Sequence, residues 1–278
     1  MRFLHLLRGR HVIFKKIRIG FTLSKSSFKS VFFSHQRYLI LCLLLAAVQF
    51  IHLKITGLIH HRLTVGLLMT ELLAGENFFE ILWHDAHFTL SSTNFLKFFN
   101  FVGFLYLEII LIFFVLCAAA YYTLKQGSSL WNSLGKSMSR WQAICGWGLI
   151  ELCAQGLSSP LGNIGALLYF AWNIITIFDV QILAFDHLNA YQILKKSWGL
   201  FKNTFSEVVA LDVIIEGLLI LIGIGIYFIS EQYIAGINLA EFENYNDLVV
   251  FLILYLISSI MLLEVVIFTN LYKVNEKN

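Results

Sequence analysis

Six long apolar runs, none interrupted by the single proline, constrain this chain more than any other feature. They cover residues 38–53, 98–122, 142–157, 163–185, 208–229 and 248–271. A helix crossing a bilayer needs about 20 mostly apolar residues, because each adds about 1.5 Å across a hydrocarbon core of about 30 Å. A water-soluble fold cannot hide that much apolar surface. The 278 residues are 58% hydrophobic and only 13% charged, against about 25% charged in a typical soluble domain. The runs predict an all-α polytopic membrane bundle of about six transmembrane helices. A basic amphipathic segment, 1–37, precedes the transmembrane domain, 38–271. Residues 54–94 form an outer loop and 272–278 a tail.

The basic residues set an orientation. Of the twenty Lys and Arg, nine lie in 1–37, three in 124–140, three in 186–207 and two in 272–278. Only Lys54, Arg62 and Lys97 fall on the other side. Such asymmetry is the positive-inside signal, and it puts both termini in the cytoplasm. The first apolar run has no small-residue cleavage site after it and reads as an uncleaved anchor.

Each inside segment reads as an amphipathic interfacial helix, or elbow, leading into spans 1, 3 and 5. In 187–206, Leu188, Tyr191, Leu194, Trp198, Phe201 and Phe205 recur at helical spacing beside Lys195, Lys196 and Lys202. An apolar stripe flanked by cations suits the headgroup plane. Residues 14–33 carry Ile17, Phe21, Phe28 and Phe32 beside four lysines, and 128–140 carry Leu130, Trp131, Leu134 and Met138. A Lys-Ser pair sits in each elbow: Lys25-Ser26, Lys136-Ser137 and Lys196-Ser197. The pattern suggests three copies of one unit: elbow, span, loop, span.

Two stretches carry a family likeness. One is Trp172-Asn173-Ile174-Ile175-Thr176-Ile177-Phe178. The other is Ala190-Tyr191-Gln192-Ile193-Leu194-Lys195-Lys196-Ser197-Trp198 with Phe201-Lys202-Asn203-Thr204-Phe205. Over residues 121–207 the chain resembles an uncharacterised family of bacterial multi-pass inner-membrane proteins, a domain of unknown function. Ile19-Gly20-Phe21 and Ser24 to Phe28 resemble its opening helix. After the aromatic run, Val180-Gln181-Ile182 has no proline where the family usually has one. The resemblance implies a bacterial inner-membrane location and no particular activity.

Six acids lie inside the apolar runs: Glu108, Glu151, Asp179, Asp212, Glu216 and Glu264. An acid at mid-membrane costs about 2.5–3.5 kcal/mol on insertion scales. They are therefore expected to face the bundle interior, to sit protonated, or to hydrogen-bond with one another and with Gln155, Asn173, Thr176 and Gln181. Asp179, Asp212, Glu216 and Glu264 are expected to form a cluster in the inner half, with Glu108 and Glu151 nearer the middle. A proton- or cation-linked site and plain interhelical glue are the two readings of this set.

In the outer loop, His84 and His87 are weak candidates for a metal pair, three apart beside Asp85. Phosphate-binding, nucleophile-elbow and zinc-protease motifs are missing from the sequence, so it leans away from an enzyme and implies no cofactor. The basic N-terminus, interleaved with aromatics beside a span, points to anionic lipid rather than nucleic acid. The expected partners are membrane lipids, with self-association or a second membrane protein left open. The leading functional reading is a non-enzymatic scaffold or lipid-interacting factor, and the alternative is a small proton- or cation-coupled permease. Cysteine labelling in intact cells tests the orientation. An impermeant reagent should modify cysteines placed at Asn77 and Asn244 and leave those at Ser27 and Asn275 untouched. Protection at Asn77 with labelling at Asn244 would remove the first hairpin.

Overall fold

The computed structural model describes residues 18–34, 36–55, 92–125, 129–158, 161–234 and 239–275. Among them every regular element is a helix. Helix α1 covers 18–34 and ends in a π-helical turn, Ser30–Ser34. It is followed by α2 (Gln36–Ile55), α3 (Ser92–Leu124), α4 (Leu130–Met138), α5 (Trp141–Ser158), α6 (Gly162–Thr176), α7 (Asp179–Phe185), α8 (Ala190–Ile234) and α9 (Leu239–Asn275).

Three stretches are long and apolar enough to cross a membrane: Val102–Leu124, Ile164–Phe185 and Val250–Asn275. They match the expected second, fourth and sixth spans, and they mark the chain as a membrane protein. The expected first span follows α1 across a bend of 82°, and the pair makes at most one more crossing. The expected third span, α5, is diluted by Gln142, Gln155, two tryptophans and three glycines. The expected fifth occupies the second half of α8, where many side chains lie outside the description.

The packing has a cyclic order. Helices α3, α7 and α9 touch one another at the centre. Around them, α2 packs between α3 and α9, α5 between α3 and α6, and α8 against α6, α7 and α9. The chain thus falls into three groups, each an elbow, an outer helix and an inner helix. The elbow of each group seats on the inner helix of the group before it, through a buried serine. Ser137 in α4 donates to the Phe114 carbonyl of α3 at 2.7 Å. Ser197 in α8 accepts the Phe178 N–H, at the break between α6 and α7, at 3.2 Å. Ser27 in α1 accepts from the Asn270 amide of α9 at 3.1 Å, which closes the ring.

These serines correct the register of the sequence repeat. In the first elbow the inward residue is Ser27, and Ser26 beside it is exposed. Ser26 is therefore the position at which to label that segment. With the three serines superposed, the residue six before is Phe21, Trp131 or Tyr191, and the residue one after is Phe28, Met138 or Trp198. All six are exposed. At 3.6 residues per turn these two positions share one stripe, roughly 110° round the helix from the serine. Lys25 and Lys195, each two before the serine, lie on the next stripe and are also exposed.

Local chemistry explains the helix ends. Ser129 caps α4 by accepting the Asn132 N–H at 3.1 Å. Asn189 and Gln192 exchange side-chain to backbone bonds of 2.9 and 3.1 Å, a reciprocal cap that starts α8. At Thr204 the backbone leaves helical geometry (φ −115°, ψ 15°), and its hydroxyl bonds back to the Leu200 carbonyl at 2.8 Å. That kink turns the third elbow into its outer helix.

The α5–α6 hairpin depends on Gly165, where a Cβ would overlap the Ser158 carbonyl oxygen. Backbone cannot swing aside as a side chain can. Gly165→Ala should lower stability by about 1–3 kcal/mol, read as the unfolding midpoint of the purified protein in detergent. Gly156→Ala, which meets open space, should leave the midpoint unchanged or raise it.

Candidate functional site

Helical spacing builds the site. On α5, Trp147, Glu151 and Gln155 are four apart and share one face. On α6, Tyr169, Trp172, Asn173 and Thr176 form a second such face. These faces meet over two carboxylates. Glu151 accepts from Trp172 Nε1 at 2.8 Å on one oxygen, and from the Tyr169 hydroxyl at 2.9 Å and Gln155 Nε2 at 3.1 Å on the other. Asp179, the first residue of α7, accepts from Trp147 Nε1 at 2.7 Å and from the Val180 N–H. The two indoles stack, with centroids 6.2 Å apart and planes 19° off parallel. Glu151 and Asp179 are both buried. Neutral donors hold them, and among the described residues neither carboxylate has an ion-pair partner.

Both line a cavity of about 590 Å³ enclosed by α3, α5, α6, α7, α8 and α9. Glu264 of α9 lines it as well, and among the described residues no Lys, Arg or His does. Asp179 lies within Coulombic reach of both other acids. The rest of the wall is mainly Ile, Val and Phe. Among the described residues, no group of three His, Cys, Asp or Glu is drawn together tightly enough to hold a metal ion.

The six intramembrane acids therefore separate. Glu151, Asp179 and Glu264 converge on the cavity. Glu151 joins the cluster from which the sequence reading had set it apart, because the face it shares with Trp147 brings it to Asp179. Glu108 lies elsewhere, paired with the buried His52 across α2 and α3. Asp212 and Glu216 sit on α8, and their side chains lie outside the description, as do His84 and His87 entirely. Trp147 and Tyr169 were not singled out from sequence, and Trp172 was quoted only within the family likeness and not as a donor, although each is three, four or seven positions from a polar residue that was.

On the elbow surface, Lys195, Lys202 and Trp198 are exposed, and the Lys202 ammonium stands 4.8 Å over the Trp198 ring. Lys196 instead turns toward the bundle. It donates to Asp186 at 2.9 Å and to the Tyr272 hydroxyl at 2.8 Å, and Tyr272 donates to Asp186 at 2.8 Å. Beside this triangle the buried Arg140 contacts His187 Nδ1. A polar layer thus joins α5, α7, α8 and α9 about 10 Å along the chain from Asp179, at 1.5 Å per residue.

No protein family matches the chain, and neither a curated protein nor a solved structure shows significant similarity to it. The site stands on its own geometry. A double-mutant cycle on Trp172→Phe and Glu151→Gln, read by reversible unfolding in detergent and denaturant, should give a coupling energy of about 1–3 kcal/mol. Additive effects would mean the indole and carboxylate do not act together.

Proposed function

We propose that this chain is a multi-pass protein of the bacterial inner membrane, with six spans and cytoplasmic termini. It acts without catalysis, as a lipid-interacting scaffold whose three elbows grip the anionic inner leaflet. The observation that carries this reading is the shared register of the elbows. Three helices far apart in sequence seat the same residue, serine, against the bundle and offer exposed apolar residues at the same two positions. Exposed Phe, Trp, Tyr and Met on a stripe beside lysines would be a liability in water and are at home at a headgroup boundary. The division of basic residues along the chain supports the orientation.

A second reading, a small proton- or cation-coupled permease, is favoured by one observation, the convergence of Glu151, Asp179 and Glu264 on a single cavity.

Lipid analysis of the purified protein tests the first reading. Anionic lipid should be enriched in the co-purified fraction over the membrane as a whole. Each surface cation is worth about 1 kcal/mol, roughly fivefold. Replacing Lys25, Lys136 and Lys195 together by Gln should therefore remove most of the enrichment. Retained lipid of bulk composition in the unmodified protein would overturn the reading.

A further inference from the structure

We infer that the carboxylate cavity is a binding site for one lipophilic organic cation, an ammonium or similar head on an apolar body. The inference goes beyond the elbow reading and stands whether or not the protein transports anything.

Charge is the first argument. Three acids line the cavity and, among the described residues, no basic side chain does. In a low-dielectric surround, such a cluster attracts a cation far more strongly than it would in water. The second argument is an unused acceptor. Gln181 lines the cavity and is 1% exposed. Its Nε2 donates toward the Val265 carbonyl at 3.4 Å and the Thr269 hydroxyl at 3.5 Å, while its Oε1 has no partner. A carbonyl can only accept, so Val265 fixes which end of the amide is nitrogen. The orphaned oxygen, two residues from Asp179, adds the negative end of an amide dipole to the wall beside the acids.

The ligand's body follows from the walls. A volume of about 590 Å³ falls in the range of small-molecule sites, about 300–1,000 Å³, and is far too large for a bare metal ion. Phe201 and Phe268 line it beside aliphatic side chains, and aromatic faces attract cations. Phe170 on α6 and Phe205 and Val209 on α8 line it too and are exposed. They form a mouth between α6 and α8 at the bundle surface. A ligand with an apolar body can therefore arrive from the lipid with its charged head leading toward the carboxylates.

The ammonium can belong to a free amphiphilic amine or to a lipid headgroup such as that of phosphatidylethanolamine. Radiolabelled tetraphenylphosphonium, with full-length protein in detergent, tests the shared chemistry. It should bind at one saturable site. Tetraphenylborate, its shape twin of opposite charge, should not displace it. Glu151→Gln and Glu264→Gln should each weaken binding at least tenfold, and Glu108→Gln, outside the cavity, should not change it. Val209→Trp should block the mouth and reduce binding with no loss of thermal stability, which keeps the test open if Glu151→Gln fails to fold. Displacement by added phosphatidylethanolamine assigns the site to a lipid headgroup, and its absence assigns it to a free cation. Equal displacement by the borate would overturn the inference, as would unchanged affinity in folded Glu264→Gln and Val209→Trp proteins.

Discussion

Inside a bilayer, helices gain little by hiding apolar surface from one another, because lipid tails are as apolar as leucine. What holds them is close approach and shared hydrogen bonds. The centre of this bundle is built accordingly. Cys117, Ala118, Ala119 and Ala120 on α3, Ala184 on α7, and Ser258 and Ser259 on α9 are all buried. Small side chains let the backbones come near, and polar atoms then find partners across the gaps. Cys117 approaches the Val180 carbonyl, and Gln181 reaches α9. The three elbow serines extend the same logic to the rim, where a larger residue would lift each elbow off its neighbour.

The interior acids follow from that framework. A carboxylate this deep must have donors around it or it destabilises the helix that carries it. Here the donors are indole, phenol and amide N–H and O–H groups rather than cations. Among the described residues, that choice places no compensating cation against Glu151 or Asp179, as an arginine in the same place would have done. The cations of this region lie in a separate layer, Arg140 against His187 and Lys196 against Asp186.

Much of the architecture was legible in the sequence. Apolar runs located the three inner helices, because continuous hydrophobicity over 22 residues or more leaves little room for another reading. The elbows were legible from periodic aromatics and lysines. Their register was not, since Ser26 and Ser27 are equally plausible until a partner, Asn270, selects one. The carboxylate cluster was legible only in part. Burial cost says that an intramembrane acid must find company, but it does not say which. Glu108 and Glu151 look alike along the chain, and it is His52 on α2 that draws one away and Trp172 on α6 that holds the other. The indole donors went unnoticed because tryptophan in a membrane sequence reads first as an interfacial anchor.

The bond between Ser27 and Asn270 joins positions 243 residues apart. It ties the first described helix to the last, and α2 packs on α9 as well. A ribosome emitting this chain into a membrane delivers the opening elbow long before its seat exists. Until α9 is made, α2 can pack only on α3 among the inner helices, with Tyr38 bonded to Thr123 and set edge-to-face against Tyr122 as an early anchor. Assembly is therefore not simply progressive. The bundle stays open along one seam throughout synthesis and shuts in a single late event, so a nascent chain stalled before α9 leaves its first group unsealed as surely as its last.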